Sequence, residues 1–307
     1  MIISGFKSKS GKMAKKECME GYIFAMPVIL GILIFTYFPA VQSLFYSFFK
    51  YDGFYTMQWV GLGNFKAALI LDPDTPVVYK NTFIYAVSVV PLSLVLGYLV
   101  ALLCNVKIKG INIYRMLFYL PVIIPGVAAG LLWLDLFEAG DTGIMNKILE
   151  TAGFSRMTFF SKKNTSMSTL IFTTVWGVGG SMIIWLAAFK NIPVSLYESA
   201  KLDGANAFKR LINITIPLST SMIFYNLVTG IIGALQVSST LVIGGSSGRG
   251  VGDSLYFIAV KIYKESFGGP FRLGYACAMG WILFAVIGAL TAIVFLSNKK
   301  WVYYEED

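Results

Sequence analysis

Histidine is missing altogether from the 307 residues, which excludes a His-ligated metal, a Ser-His-Asp triad and a histidine proton relay. The three cysteines, Cys18, Cys104 and Cys277, are isolated and have no CxxC spacing, so they carry no signal. Cys18 follows Lys15, Lys16 and Glu17 rather than an apolar run, which argues against a secretory or lipoprotein signal. Charge is scarce as well: Asp, Glu, Lys and Arg make up 13% of the chain, about half the share usual in globular proteins. A phosphate-binding loop is also lacking. Gly244 to Gly252 reads GGSSGRGVG, and although Gly245 and Gly250 have the Walker A spacing, Val251 stands where the lysine must reach the phosphates. That stretch is expected to be a flexible or tightly turning loop. Finally, the predicted membrane spans hold no ionisable residue except Asp135, near one end of the third. Ion-coupled carriers keep an acid or base deep in the bundle because its burial is costly without a function. Its absence points to a neutral solute and to energy supplied from outside the chain.

What the chain has in quantity is apolar sequence. Hydrophobic residues reach 56%, gathered in runs of roughly 20, the length that crosses ~30 Å of hydrocarbon as a helix. The expected fold is therefore all-α: a polytopic membrane helix bundle with six transmembrane helices. The net charge of +9 does not indicate nucleic acid, because the basic residues fall in alternate loops, as topology signals do.

Taken in order, residues 1–20 carry Lys7, Lys9, Lys12, Lys15 and Lys16 and are expected to stay cytoplasmic. Residues 21–297 form the membrane domain, with spans at about Tyr22 to Leu44, Phe83 to Cys104, Met116 to Phe137, Ser168 to Phe189, Ile214 to Val237 and Gly274 to Ser297. The first span reads as an uncleaved anchor, with Pro27 and Pro39 near its ends, where a missing amide costs little. Pro121 and Pro125 predict a kinked or locally broken third span. Between the spans lie a polar outside loop, Ser47 to Asn81, and a basic inside loop with Lys107, Lys109 and Arg115. A second outside loop, Glu138 to Met167, holds an amphipathic piece, Ile144 to Leu149, and a Gly-rich outside loop follows the fifth span. The tail, 298–307, has Lys299 and Lys300 at the membrane edge and ends in Glu305, Glu306 and Asp307. Segments assigned inside are roughly twice as basic per residue as those outside, which places both termini in the cytoplasm.

Two sets of residues could carry function. Trp133, Trp176, Ser181, Trp185, Tyr225, Asn226, Thr229 and Gln236, with Trp281, lie in or near spans three to six. Aromatic faces with polar tips, together with amide donors and acceptors, suit a sugar, which has C–H faces ringed by hydroxyls. Each of these residues also serves ordinary helix packing or an interface. The other set is the polar island Tyr197 to Pro217, YESAKLDGANAFKRLINITIP, inside by alternation. Val194 to Leu202 is a short amphipathic helix candidate and Gly204 permits a sharp reversal before Ala207 to Asn213. A merely structural loop needs no such defined turn.

The island resembles the signature of permease subunits of bacterial ABC importers: EAA, three residues, Gly, nine residues, then I-x-LP. Here it reads Glu198-Ser199-Ala200, Gly204, and Ile214-Thr215-Ile216-Pro217, departing at Ser199 and Ile216. Asp203-Gly204-Ala205 matches the DGA form of the sugar-importing branch. Phe118 to Pro121, Trp59 to Phe65, Ile192-Pro193 and Gly274-Tyr275-Ala276 look like carbohydrate permeases of the maltose and glycerol-3-phosphate importer type. The GG after span five is similar, with Ser246 in place of the usual proline.

That resemblance implies a multi-pass protein of the bacterial cytoplasmic membrane that catalyses nothing itself. The loop at about 194–213 would be a cytoplasmic coupling helix docking into one of two ABC ATPase subunits, which bind ATP and Mg. Glu198, Ser199, Ala200, Leu202, Asp203, Gly204 and Ala205 would form that contact, with Gly204 making the turn. A second permease subunit, different or identical, and an extracellular solute-binding protein are implied, with a sugar as cargo. The chain itself is expected to hold no metal and no cofactor. A phosphorylated polyol is the alternative cargo, although the spans supply no cations for it. An ion-coupled secondary transporter is the competing class, and a membrane enzyme has no evident catalytic centre.

Overall fold

The computed structural model describes residues 11–303 except 56 and 107. Lys7, Lys9, Lys107, Glu305, Glu306 and Asp307, which enter the topology reading above, lie outside the described residues. Four helices are long and apolar enough to cross a membrane: α1 (Lys15–Tyr46), α2 (Thr75–Cys104), Thr220–Ile243 and α12, which is Leu273–Ser297 within the longer span Leu273–Lys300. Two bent pairs bring the number to six if each is one span: α3 (Ile111–Ile123) with α4 (Gly126–Leu136), and α6 (Lys163–Val175) with α7 (Gly179–Asn191). The remaining elements used below are strands β1 (Phe49–Tyr51) and β2 (Met57–Trp59), and helices α5 (Ile144–Thr151), α8 (Val194–Leu202), α9 (Ala207–Arg210), α10 (Thr220–Leu235) and α11 (Ile258–Phe267).

Proline chemistry explains where the spans bend. Pro39 and Pro217 each lack the amide that would close an α-helical bond, and in both places the turn before them widens to a π-helix, Leu33–Tyr37 and Leu211–Thr215. The residue just before each proline donates five residues back instead: Phe38 to Leu33 O, and Ile216 to Leu211 O. The first helix consequently runs on past Pro39 to Tyr46, beyond the end expected for span one.

Pro121 stays within α3, while Pro125 breaks the span. Ile124 ahead of it is forced extended (ψ 126°), and α3 and α4 meet at 100°. Span four, expected to be continuous, is bent by 41° between α6 and α7. Glycine accounts for that difference: at Gly179 a Cβ would sit 2.0 Å from the Phe118 carbonyl oxygen, so the start of α7 and the backbone of α3 touch directly.

Two loops carry more structure than their polarity suggests. Ser47 to Asn81 holds the antiparallel hairpin β1–β2, with Phe49 opposite Trp59, and helical turns over Gly63–Leu71. The second span then begins at Thr75 rather than Phe83. The Gly-rich stretch turns tightly, through Gly245, Gly248, Gly250 and Gly252 at positive φ, and is followed by α11, one face of which is buried.

The bundle has two apolar cores. One gathers Tyr85, Val89, Leu170, Phe257, Val260 and Met279 with their neighbours, at the end where α2 begins. The other, Ala101, Cys104, Met182, Trp185, Leu186 and Phe189, lies at the end where α2 finishes and the island begins. Leu94 packs against both. At 30 residues α2 is ~45 Å long and carries both cores, so the two ends of the molecule are joined through it. None of the apolar window of α1 is buried by this chain, although the end of that helix, near Ser43, meets α12.

Candidate functional site

The island folds as a helix, a tight reversal and a second helix. α8 starts from extended Pro193, just after buried Ile192, and spans Val194–Leu202 as the sequence suggests. Its end is a Schellman closure. Gly204, at φ +75°, donates to Lys201 O at 3.1 Å, and Ala205 donates to Ala200 O at 2.8 Å. Two residues on, the Asn206 side chain accepts from the Lys209 amide at 2.8 Å and caps α9. Asn206 escaped the sequence reading, although an Asn three residues ahead of a helical amide is a start signal. A hydroxyl pair, Tyr197 with Thr215 at 2.9 Å, ties the base of α8 to the returning helix.

This geometry presents an exposed tip. Glu198, Ser199, Lys201 and Asp203 are exposed, and Ala200 and Ala205 are half-buried. Leu202 is 90% exposed and Phe208, which sequence reading missed, 67%. Both apolar side chains stand on an otherwise polar loop.

The intramembrane candidates divide. Ser181, Tyr225, Asn226 and Thr229 come together around a cavity of about 440 Å³ between α2, α6, α7 and α10. Tyr85, Ser93 and Thr174 join them from α2 and α6, and were not singled out from sequence because isolated hydroxyls in apolar runs carry no periodic signal. Tyr85 and Thr174 share a 2.9 Å hydrogen bond across the two helices. Asn226, buried, donates to Met222 O at 2.9 Å. The lining contains no charged residue.

The other candidates lie elsewhere. Trp185 is fully buried against Tyr98 in the second core and does not line the cavity. Trp133 stacks on Phe137, and exposed Trp176 meets Trp133 edge-on. Gln236 is exposed at the end of α10, and Trp281 donates to Ser43 across α12 and α1.

At the end away from the island sits an ionic cluster that the sequence reading missed. Lys261 on α11 is fully buried and pairs with Asp72 at 2.5 Å and Asp74 at 3.5 Å, while the Tyr275 hydroxyl donates to Asp72 at 2.7 Å. Burial alone would raise the Asp72 pKa. Hydrogen bonds from Lys261, Tyr275 and the Asp74 amide outweigh it and hold the carboxyl below its ordinary value. Arg249 pairs with Asp74 and Asp253 and lies 4.0 Å over the Tyr256 ring, which fixes the glycine-rich turn to the start of α2.

Bent spans around an uncharged cavity of apolar side chains and a few hydroxyls, with a built loop displayed at one end, fit a helical membrane transport component, the class to which its relatives also belong. The chain belongs to the family of binding-protein-dependent transport system inner membrane components, whose model matches residues 93–300. It is 38% identical over 299 residues to the probable ABC transporter permease protein YesP of Bacillus subtilis, covering 97% of this chain and 96% of that one. The sn-glycerol-3-phosphate transport system permease protein UgpA of Yersinia pestis is 29% identical over 286 residues, covering 92% and 95%. The diacetylchitobiose uptake system permease protein NgcF of Streptomyces coelicolor is 30% identical over 316 residues, covering 95% and 87%. Among solved structures, a chain of the bacterial alginate ABC transporter in complex with an alginate pentasaccharide-bound periplasmic protein has the same fold. Its TM-score is 0.77 at 23% identity, covering 94% of this chain and 96% of that one.

Proposed function

We propose that the chain is the membrane-spanning permease of an ATP-driven importer for a sugar, an oligosaccharide in particular, working by alternating access. The observation that carries the sugar assignment is the cavity: hydroxyls, one amide and two tyrosines converge on a space of about 440 Å³ with no charge on its walls. Tyrosine faces stack on sugar C–H surfaces, Asn226 has its amide oxygen and a second N–H to offer, and the Ser181 and Thr229 hydroxyls, which donate to Val178 O and Tyr225 O, present acceptor lone pairs. NgcF, a permease named for diacetylchitobiose uptake, supports the same reading.

Energy is supplied by two separate ATPase subunits that bind ATP and Mg, and α8 is the helix they grip. Glu198 makes a polar contact there, Leu202 and Phe208 fill apolar pockets, and Gly204 sets the turn. A second permease completes the pathway, and a solute-binding protein delivers the sugar from outside. Both termini and the island face the cytoplasm, which puts the ionic cluster at the outer end.

UgpA favours a second reading, in which the cargo is a phosphorylated polyol. A phosphate would demand cations, and the cavity walls of this chain offer none. Thermal shift of the associated solute-binding protein against neutral oligosaccharides, acidic oligosaccharides and glycerol phosphate separates the readings. Stabilisation by glycerol phosphate alone would overturn the sugar assignment.

A further inference from the structure

A second cavity, of about 960 Å³, lies on another face of α2 and shares no lining residue with the first. α2 contributes Leu92, Leu96 and Val100, spaced four apart on one face, and α3 contributes Tyr114, Leu117 and Phe118. Pro121 and Ile124, at the break in span three, and the α6 side chains Ile171, Phe172 and Val175 complete the groove. Its walls are almost wholly apolar, and Leu117 and Phe172 are each 55% exposed, so the groove is open to its surroundings. Such walls suit hydrocarbon rather than a sugar.

One end of this groove is charged. Cys104 follows Val100 by one turn of α2, and its carbonyl oxygen accepts from Arg115 Nε at 3.1 Å and Nη2 at 2.8 Å. Arg115 is the neighbour of groove-lining Tyr114 and also donates to Asn112 from Nη1 at 3.4 Å. The guanidinium is thereby fixed at the groove's end, with one further N–H to offer on each terminal nitrogen. Lys109, exposed in the turn before α3, adds a second cation, and neither has an acidic partner among the described residues. From Val100 to Leu92 the groove rises ~12 Å along α2, close to the ~15 Å depth of one leaflet of a ~30 Å hydrocarbon core.

We infer that this groove is a binding site for an anionic phospholipid of the inner leaflet, with an acyl chain along Leu92, Leu96 and Val100 and the phosphate on Arg115 and Lys109. A fixed guanidinium forks onto phosphate oxygens, and unpaired cations at the cytoplasmic end match an anionic leaflet. The choice of leaflet rests on the importer reading above, which puts the island and the end of α2 in the cytoplasm. A second copy of this chain is the poorer occupant: residues 1–20, with five lysines to two glutamates, lead into α1 and would set net positive charge beside Arg115 and Lys109. The site also bears on the proposed coupling. Phe118 lines the groove, and its carbonyl is the group that Gly179 approaches, so a lipid held there braces the helix that leads to α8.

The test uses the complete transporter complex. Native mass spectrometry counts the phosphatidylglycerol and phosphatidylcholine it retains from an equal mixture. The wild type is expected to keep phosphatidylglycerol in preference, and that preference to fall about fivefold in Lys109→Gln and further when Arg115→Gln is added. Arg115→Lys, which keeps the charge, should retain most of it. Lys109 is exposed, so its variant tests the site even where loss of the Arg115–Cys104 contact disturbs assembly. Leu117→Trp, made at an exposed position, fills the groove and should expel the lipid with both cations intact. Equal retention of the two lipids by the wild type would overturn the inference, as would an unchanged preference in both Lys109→Gln and Leu117→Trp. A photo-cross-linker at position 117 that captures a second permease chain rather than lipid would assign the groove to subunit pairing and refute it. Sugar-stimulated ATP hydrolysis, measured on the same samples, tests the importer reading separately: its absence with the lipid preference intact would overturn that reading and leave the lipid site standing.

Discussion

Gly204 is the position at which the proposed coupling is most sharply exposed to test. Its φ of +75° places it in the left-handed region, and, its own chain neighbours aside, no atom of the described residues lies within 4 Å of where a Cβ would stand. Replacement by alanine therefore introduces no clash within the subunit and costs only the conformational term, about 1–2 kcal/mol. That is a shift of about 5- to 30-fold in the population of the closed turn. Asparagine tolerates the same conformation and should cost less, whereas valine, β-branched, should cost more. The order expected for sugar-stimulated ATP hydrolysis and uptake in proteoliposomes is Gly, then Asn, then Ala, then Val. Since α8 is closed by two hydrogen bonds at this point, the losses should come with a purified complex that still assembles. Glutamate adds a charge as well as strain. If the partner's cleft closes around the turn, it should fall below alanine by more than the backbone term allows. A valine variant that transports normally at normal expression would refute the reasoning, because a β-branched residue opposes the left-handed turn on which the closure depends.

Other consequences follow from the same geometry. Asn206→Ala should remove the α9 cap and about 1 kcal/mol of local stability, read as faster amide exchange at residues 207–210 with the spans unaffected. Gly179→Ala should be severely destabilising, since its Cβ would meet the Phe118 carbonyl at 2.0 Å, while Gly180→Ala, with ordinary contact to Val122 at 3.7 Å, should be nearly neutral in thermal unfolding. Asp72→Ala should cost roughly 3 kcal/mol by leaving Lys261 buried beside the more distant Asp74 alone. The sign of the pH effect follows from the depressed Asp72 value: its pair contributes fully above the ordinary carboxylate range and is lost as pH falls through the lower folded value. Thermal stability should therefore drop below about pH 4, and Asp72→Asn should make that drop shallower.

Much of this was legible because the strongest signals were local or periodic. Val194–Leu202 and its glycine reversal could be read since a helix stop and a left-handed turn are encoded within a few residues. Pro125 announced the break in span three, but the bend in span four went unread, because its cause is a backbone contact between Gly179 and Phe118, far apart in sequence. The cavity illustrates the same limit. Ser181, Asn226 and Thr229 were visible as polar residues in apolar runs, and so was Trp185, yet only the packing of α2 against α7 and α10 decides which of them face the space. Lys261 was hidden for another reason. In a stretch of loop composition a lone lysine reads as solvated, and its burial depends on Asp72, contributed from before the second span.

The connection between the two candidate sites is short enough to constrain how they communicate. α8 follows α7 across Ile192 and Pro193 only, and α7 carries Ser181 into the cavity next to Met182 and within about two turns of Trp185 and Phe189 of the second core. The bend at Gly177 and Gly179 lies next to Ser181, and in the proposed transport cycle it is the point about which α7 would tilt while α6 stays with the first core. Gly97 of α2 faces this wall: a Cβ there would stand 2.4 Å from the Ser181 oxygen. In the proposed transport cycle a displacement of α8 thus reaches the cavity through one rigid helix. It would change the cavity at the Ser181 wall before it altered the Tyr85–Thr174 wall, where Tyr85 belongs to the first core, at the ion-paired end away from the island.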